Sequence, residues 1–119
     1  MVSIRGAITV DNNTKEDILK ETKILLKDII NRNNIDKEHI ISIIFTATKD
    51  LTAAYPAISA RELDIVQASL LCVQEMNVDN SLQKCIRVMI YVEGDLLQKN
   101  VTHVYLKDAK ALRPDLSLK

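Results

Sequence analysis

The segment that most constrains the fold runs from Lys84 to Val92, with the sequence KCIRVMIYV. Its many β-branched and apolar residues, uninterrupted by glycine or proline, are typical of a β-strand. Side chains alternate between the two faces of a strand. One face is entirely aliphatic and is predicted to be core; it carries Ile86, Val88, Ile90 and Val92. The other face carries Cys85, Arg87, Met89 and Tyr91.

Arg87 adds a second constraint, because it places a guanidinium between a thiol and a thioether. Leaving a buried charge without its partner costs on the order of 3–5 kcal/mol. Arg87 therefore requires an anion close by. That anion is either a carboxylate of the protein or an anionic ligand, and this strand alone does not decide between them.

Hydrophobic periodicity divides the rest of the chain into elements. Strands are predicted over 3–10, 40–47, 68–73 and 101–107, with a short last strand over 109–112. A long helix is predicted from a cap at Asn13 or Thr14 to residues 33–34, and a shorter helix over 57–63. The order β-α-β-α-β-β-β indicates an α+β fold, a mixed β-sheet with helices on one face.

The apolar runs 40–47 and 68–73 are nearly continuous, which is typical of strands buried on both faces. One long helix cannot cover a sheet of this kind on both sides. An oligomer is therefore predicted.

Composition narrows the possible functions. The 119 residues are expected to form one domain, 1–119, with 113–119 as a mobile C-terminal tail. Sixteen basic residues balance sixteen acidic ones, and only four residues are aromatic, so no nucleic-acid partner is predicted. No apolar run is long enough to span a bilayer and no export signal is present, so the chain is expected to be cytoplasmic and to have no membrane partner.

The two cysteines, Cys72 and Cys85, lie in apolar runs and are predicted to be free thiols. No Cys/His spacing fits a zinc site and no glycine-rich phosphate loop is present, so neither a metal nor a cofactor is expected. His39 and His103 are predicted to lie in a loop and at a strand edge, without a role as a base.

The remaining polar candidates at strand ends or in apolar settings are Arg5, Arg61, Glu75, Arg87, Tyr105 and Arg113. Arginine does not act as a base at neutral pH, but its planar guanidinium binds carboxylates through two hydrogen bonds. This set is suited to holding a small, multiply anionic molecule. It is not suited to transferring protons.

Several segments together resemble the AroH-type chorismate mutases from end to end: residues 4–7 (IRGA), 45–48 (FTAT), 55–57 (YPA), 61–63 (REL), 74–76 (QEM), 85–89 (CIRVM), 103–106 (HVYL) and 112–116 (LRPDL). The resemblance implies a homotrimer with a pseudo α/β barrel fold and active sites between subunits. It implies the intramolecular Claisen rearrangement of chorismate to prephenate in aromatic amino acid biosynthesis, without a cofactor.

The resemblance also implies a role for each candidate. It places Arg87 against the ether oxygen of the substrate, Arg5 and Tyr105 on a carboxylate, and Glu75 on the ring hydroxyl beside the backbone of Cys72. Arg61 and Arg113 become outer cations, and Tyr55 forms the pocket wall where the family usually has phenylalanine. Two departures are larger, namely Ile58 in place of a common lysine and Leu71 in place of a small hydroxyl residue.

Two other functions remain open at this point. Small trimeric enamine/imine deaminases have a similar architecture and also use an arginine against a carboxylate. Alternatively, the chain is a non-catalytic anion-binding trimer, a reading that Ile58 and Leu71 keep open.

Overall fold

The protein is described by a computed structural model that covers residues 1–116, so residues 117–119 of the predicted tail lie outside the described residues. The described chain contains the strands β1 (Val2–Thr9), β2 (Ile40–Ala47), β3 (Ser69–Gln74), β4 (Cys85–Val92) and β5 (Val104–Tyr105), with helix α1 (Lys15–Asn33) after β1 and helix α2 (Ala57–Glu62) after β2. The predicted order of elements is confirmed. Within residues 1–116, no helix has the length and apolar character needed to cross a membrane.

The strands form one mixed sheet in the order β3-β2-β4-β1-β5. The central strand β4 pairs antiparallel with both β1 and β2. The outer pairs are parallel, with β3 beside β2 and β5 beside β1. The sheet and its helices therefore form the α+β architecture predicted from the sequence.

Helix α1 covers one face of this sheet. Its first turn is capped by the Thr14 hydroxyl, which accepts a hydrogen bond from the Asp17 backbone N–H, and it ends at Asn34 in the left-handed conformation, with φ of 51°. Gly6 of β1 lets the helix approach closely, because a Cβ atom there would lie 2.6 Å from Ile29 Cδ1. The predicted core face of β4 is confirmed by the burial of Ile86, Val88, Ile90 and Val92.

The opposite face of the sheet is open in the single chain. In β3, 57% of Leu71 and 41% of Val73 are exposed, and Ile44 of β2 is only half-buried. The prediction that residues 40–47 and 68–73 are buried on both faces is therefore wrong for one chain. The exposure is on the face of these strands that α1 does not cover, and β3 in addition lies at the edge of the sheet, where it pairs only with β2.

The C-terminal predictions were only partly correct. Strand β5 has two residues instead of seven because the Asn33 side chain takes the backbone groups of Thr102, at 2.7 Å and 3.0 Å, where a longer strand would pair. The strand predicted over 109–112 is wrong, since Lys107 has φ of 54° and begins the 3₁₀ helix Lys107–Ala111. Residues 113–116 form a turn closed by a 3.0 Å bond from Leu116 N–H to the Arg113 carbonyl.

Candidate active site

The open face of the sheet holds a bidentate ion pair between Arg87 and Glu75. Arg87 Nε lies 2.6 Å from Glu75 Oε1, and Arg87 Nη2 lies 2.7 Å from Oε2. Glu75 follows β3 directly, and its backbone N–H continues the sheet by donating to the Ala47 carbonyl at 3.0 Å. Of the two partners that the sequence allowed for Arg87, the chain itself thus supplies a carboxylate.

Two further donors hold the Glu75 carboxylate. Thr46 Oγ1 donates to Oε1 at 2.7 Å, and the Met76 backbone N–H donates to Oε2 at 3.1 Å. The hydrogen bonds from Arg87 are the largest of the effects that lower the pKa of Glu75 to about 2, against partial burial, which raises it. The carboxylate is therefore ionised at neutral pH, and each of its oxygens accepts two hydrogen bonds.

A cavity of about 290 Å³ adjoins this pair, and it brings together all four residues that were predicted to be catalytic. Arg5 comes from β1, Arg87 from β4, Tyr105 from β5 and Glu75 from the end of β3. Tyr105 is 3% exposed, and Arg5 is half-buried. Aliphatic and thioether side chains, those of Ile44 and Met89, complete the wall together with Thr46.

Arg87 is less buried than the mechanism implied by the resemblance requires. In the single chain 47% of its side chain is exposed. The Glu75 carboxylate raises the pKa of the guanidinium, so Arg87 remains a cation. It uses two of its five N–H groups on Glu75, which leaves three for another acceptor.

His103 has a role in this site that the sequence did not reveal. Its Nδ1 accepts a 2.9 Å hydrogen bond from the backbone N–H of Arg5, which requires the imidazole to be unprotonated at Nδ1. Burial, and then the charges of Arg5 and Arg113, lower the pKa of His103. Arg5 is also not on an edge strand, because β1 lies between β4 and β5.

Arg113 lies in the turn over residues 113–116 and is not among the residues that line this cavity. It forms two hydrogen bonds with Asp115, of 3.1 Å and 2.8 Å, and this pairing lowers the pKa of Asp115. The same pairing with Asp115, and to a smaller extent the charge of Tyr105, raises the pKa of Arg113. Its predicted role as an outer cation of the site stays a prediction.

The other three predicted site residues, Tyr55, Arg61 and Cys72, lie elsewhere. They line a second cavity, of about 490 Å³, between α2 and the edge strand β3, and it shares no lining residue with the first. Arg61 is exposed and forms no ion pair within residues 1–116. Its neighbour Glu62 pairs with Lys23, at 2.7 Å. One chain therefore places the predicted site residues in two separate groups.

The two cysteines are free thiols, as predicted. Burial raises the pKa of the Cys85 thiol to about 11, so it is not a nucleophile at neutral pH. Among the residues that the structure describes, no group of His, Cys, Asp and Glu side chains could hold a metal ion.

Comparison with known proteins identifies close relatives. A family model described as chorismate mutase type I matches residues 1–116. The chorismate mutase AroH of Bacillus subtilis (strain 168) is 47% identical over 116 residues, which cover 97% of this chain and 91% of that protein. The chorismate mutase AroH of Thermus thermophilus is 44% identical over 95% of this chain and 93% of that protein.

A solved structure agrees with these sequence matches. A chorismate mutase from Clostridium thermocellum superimposes with a TM-score of 0.90 and 50% sequence identity. The match covers 92% of this chain and 97% of that chain. This chain and that chorismate mutase therefore share a fold over almost their whole length.

Proposed function

The chain belongs to the type I chorismate mutase family, and from this we propose that it converts chorismate to prephenate at a site centred on Arg87 and Glu75. It is a chorismate mutase, an isomerase of aromatic amino acid biosynthesis. The family and the relatives named above favour this function over the enamine/imine deaminase, because each of them is described as a chorismate mutase.

The chemistry agrees with the groups in the cavity. The rearrangement is intramolecular: the ether C–O bond breaks as a C–C bond forms within one molecule, so no nucleophile, base, metal or cofactor is needed. The enzyme must hold the dianion in a compact conformer and stabilise negative charge that develops on the ether oxygen. A millionfold acceleration requires about 8 kcal/mol, of which one oriented donor supplies about 3–4 kcal/mol.

The bidentate ion pair of Arg87 is the observation that supports this role most directly. Glu75 fixes the plane of the guanidinium through Nε and Nη2. The remaining N–H groups of Arg87 are those available to the ether oxygen and a substrate carboxylate. Because the donor is oriented before substrate binds, little reorganisation accompanies the chemical step.

Arg5 and Tyr105 complete the proposed carboxylate clamp, with Arg113 as an outer cation. Two guanidiniums, those of Arg5 and Arg87, and one ionised carboxylate line the cavity, which leaves it positively charged and suited to an anionic substrate. We assign Glu75 as the acceptor for the ring hydroxyl of chorismate. Its longest hydrogen bond, 3.1 Å from the exposed Met76 N–H, is the one that a substrate hydroxyl can most readily replace.

We also propose that the protein is a homotrimer with active sites between subunits. The separation of the two groups supports this, because the two cavities of one chain share no lining residue. Cys72 pairs with the buried Phe45 on the helix-covered face of the sheet, whereas Thr46 on the other face lines the first cavity. Tyr55, Arg61 and Cys72 of one copy would then complete the site of the next. The exposed Leu71 and Val73 are apolar surface that such contacts would cover.

A cytoplasmic location is supported by the two free thiols.

The first test is the loss of chorismate ultraviolet absorbance on addition of the purified protein, with prephenate identified as the product. Turnover is expected. Intact chorismate, whether bound or unbound, would contradict the proposed function and favour a non-catalytic trimer.

The shared site is tested by co-expressing Arg61→Ala and Arg87→Ala chains. Each homotrimer is expected to be nearly inactive. Random assembly places two intact halves together at one of the three sites in each mixed trimer, which is about a quarter of all sites in the co-expressed population, so about a quarter of wild-type activity should return. No recovery in mixed trimers of confirmed composition would contradict the assignment of Arg61 and Arg87 to different copies.

A further inference from the structure

Thr46 occupies a position in the site that neither the sequence pattern nor the resemblance assigns. It lies on β2, the strand between β3 and β4, and its backbone is paired with Arg87 on one side and Val73 on the other. Its hydroxyl is thus placed between the two strands that supply Glu75 and Arg87.

The Thr46 hydroxyl acts on the carboxylate oxygen that orients Arg87. Oε1 of Glu75 accepts from Thr46 Oγ1 at 2.7 Å and from Arg87 Nε at 2.6 Å. The Thr46 bond adds a donor from β2 on Oε1, so the carboxylate plane is held from this strand as well as by Arg87 and the Met76 N–H. The guanidinium is coplanar with its partner in a bidentate pair, so the hydroxyl also fixes the direction of the free N–H groups of Arg87.

We propose that Thr46 is a positioning residue of this enzyme, which orients Arg87 toward the substrate by fixing Glu75. This inference rests on the proposed function of the site. In this role Thr46 acts through the Glu75 carboxylate and not on a reacting atom. Its β-branched side chain suits the strand, and the hydroxyl rather than the methyl group is the functional part.

The test compares Thr46→Val, which keeps the shape and loses the donor, with Thr46→Ser, which keeps the donor. A hydrogen bond to a charged group is worth enough to change a rate by about tenfold or more. We expect kcat of Thr46→Val to fall by about tenfold with KM changed less than about threefold, and Thr46→Ser to retain most of kcat. Ser42→Ala removes a hydroxyl from the same face of β2 outside the cavity, and it should leave kcat unchanged.

A second measurement separates positioning from loss of structure. The Glu75 carboxyl titration, followed by NMR in the folded protein, should move to higher pH in Thr46→Val, because the Thr46 bond lowers the pKa of Glu75. An unchanged kcat in Thr46→Val together with an unchanged titration would overturn the inference and leave the proposed function intact. Absence of turnover by the wild-type protein would instead remove the proposed function, while the titration would still show whether Thr46 holds Glu75.

Discussion

Arg87 and Glu75 form their ion pair across an intervening strand. Arg87 is on β4 and Glu75 follows β3, and β2 lies between those two strands in the sheet. Thr46 on β2 donates to the same carboxylate oxygen that Arg87 Nε contacts. Three adjacent strands therefore determine the direction of one guanidinium, and the predictions for activity depend on how rigidly they hold it.

The first prediction concerns the planar shape of the central cation. Arg87→Ala is expected to reduce kcat by at least about 100-fold, as is the loss of a single oxyanion donor in other enzymes. Arg87→Lys is expected to lose most of kcat as well, because an ammonium cannot bind Glu75 through two parallel N–H groups and still reach the substrate. Turnover is followed by chorismate absorbance and assembly by size-exclusion chromatography. Wild-type-like turnover by Arg87→Lys would contradict the mechanism.

The second prediction concerns acid stability. The folded-state pKa of Glu75, about 2, lies below the ordinary value of 4.5, so the pair stabilises the fold fully above pH 4.5 and is lost as the pH falls toward 2. Solvent screens a pair in which 47% of the Arg87 side chain is exposed, so we expect a contribution of only about 1 kcal/mol. Urea unfolding at a series of pH values measures it.

Two variants control the acid experiment. Residue 75 cannot ionise in Glu75→Gln, so the unfolding free energy of this variant should fall less below pH 4.5 than that of the wild-type protein. Glu62→Gln removes a carboxylate from the surface pair with Lys23, and its unfolding free energy should fall below pH 4.5 as much as that of the wild-type protein. An identical decline in Glu75→Gln and the wild-type protein would show that the pair does not contribute.

Local patterns predicted the fold where neighbouring residues determine it. The alternation in residues 84–92 identified the core face of β4, and the polar caps at Thr14 and Asn34 bounded α1. The edge position of β3 could not be predicted, because an apolar run has the same composition whether another strand, a helix or a second chain covers it. Strand order is set by contacts between distant segments, and no local pattern reports it.

The site was predicted in part for a related reason. The need of Arg87 for an anion follows from one residue on an otherwise apolar strand. The identification of Glu75 as that anion requires the order β3-β2-β4, since the pair is separated by 12 residues. Thr46 and His103 were missed as supports of the site because a threonine in a strand and a histidine at an edge are both ordinary. Their functions lie in single hydrogen bonds to Glu75 and Arg5.

The third prediction concerns the close packing at Gly6. A Cβ there would lie 3.1 Å from Leu25 Cδ1 and 3.2 Å from the Val104 carbonyl, as well as 2.6 Å from Ile29. The Gly6→Ala variant is therefore expected to lose about 1–3 kcal/mol of stability, measured by thermal or urea unfolding. Ser3→Ala, on the other face of β1, is the control and should change stability little. Equal stability of Gly6→Ala and wild type would mean that α1 can move away without cost.

The last prediction concerns His103 and the pH dependence of the reaction. No side chain has to cycle a proton in this mechanism, so kcat should show no bell-shaped profile between about pH 6 and pH 9. Burial, and then the charges of Arg5 and Arg113, lower the pKa of His103 and so favour the neutral imidazole, whose Nδ1 accepts the Arg5 N–H. His103→Asn keeps an acceptor in a similar position and should retain most of kcat, whereas His103→Leu removes the acceptor and should raise KM by loosening Arg5. A bell-shaped profile that disappears in His103→Asn would identify His103 as a proton-transferring group and contradict a mechanism based on fixed charge alone.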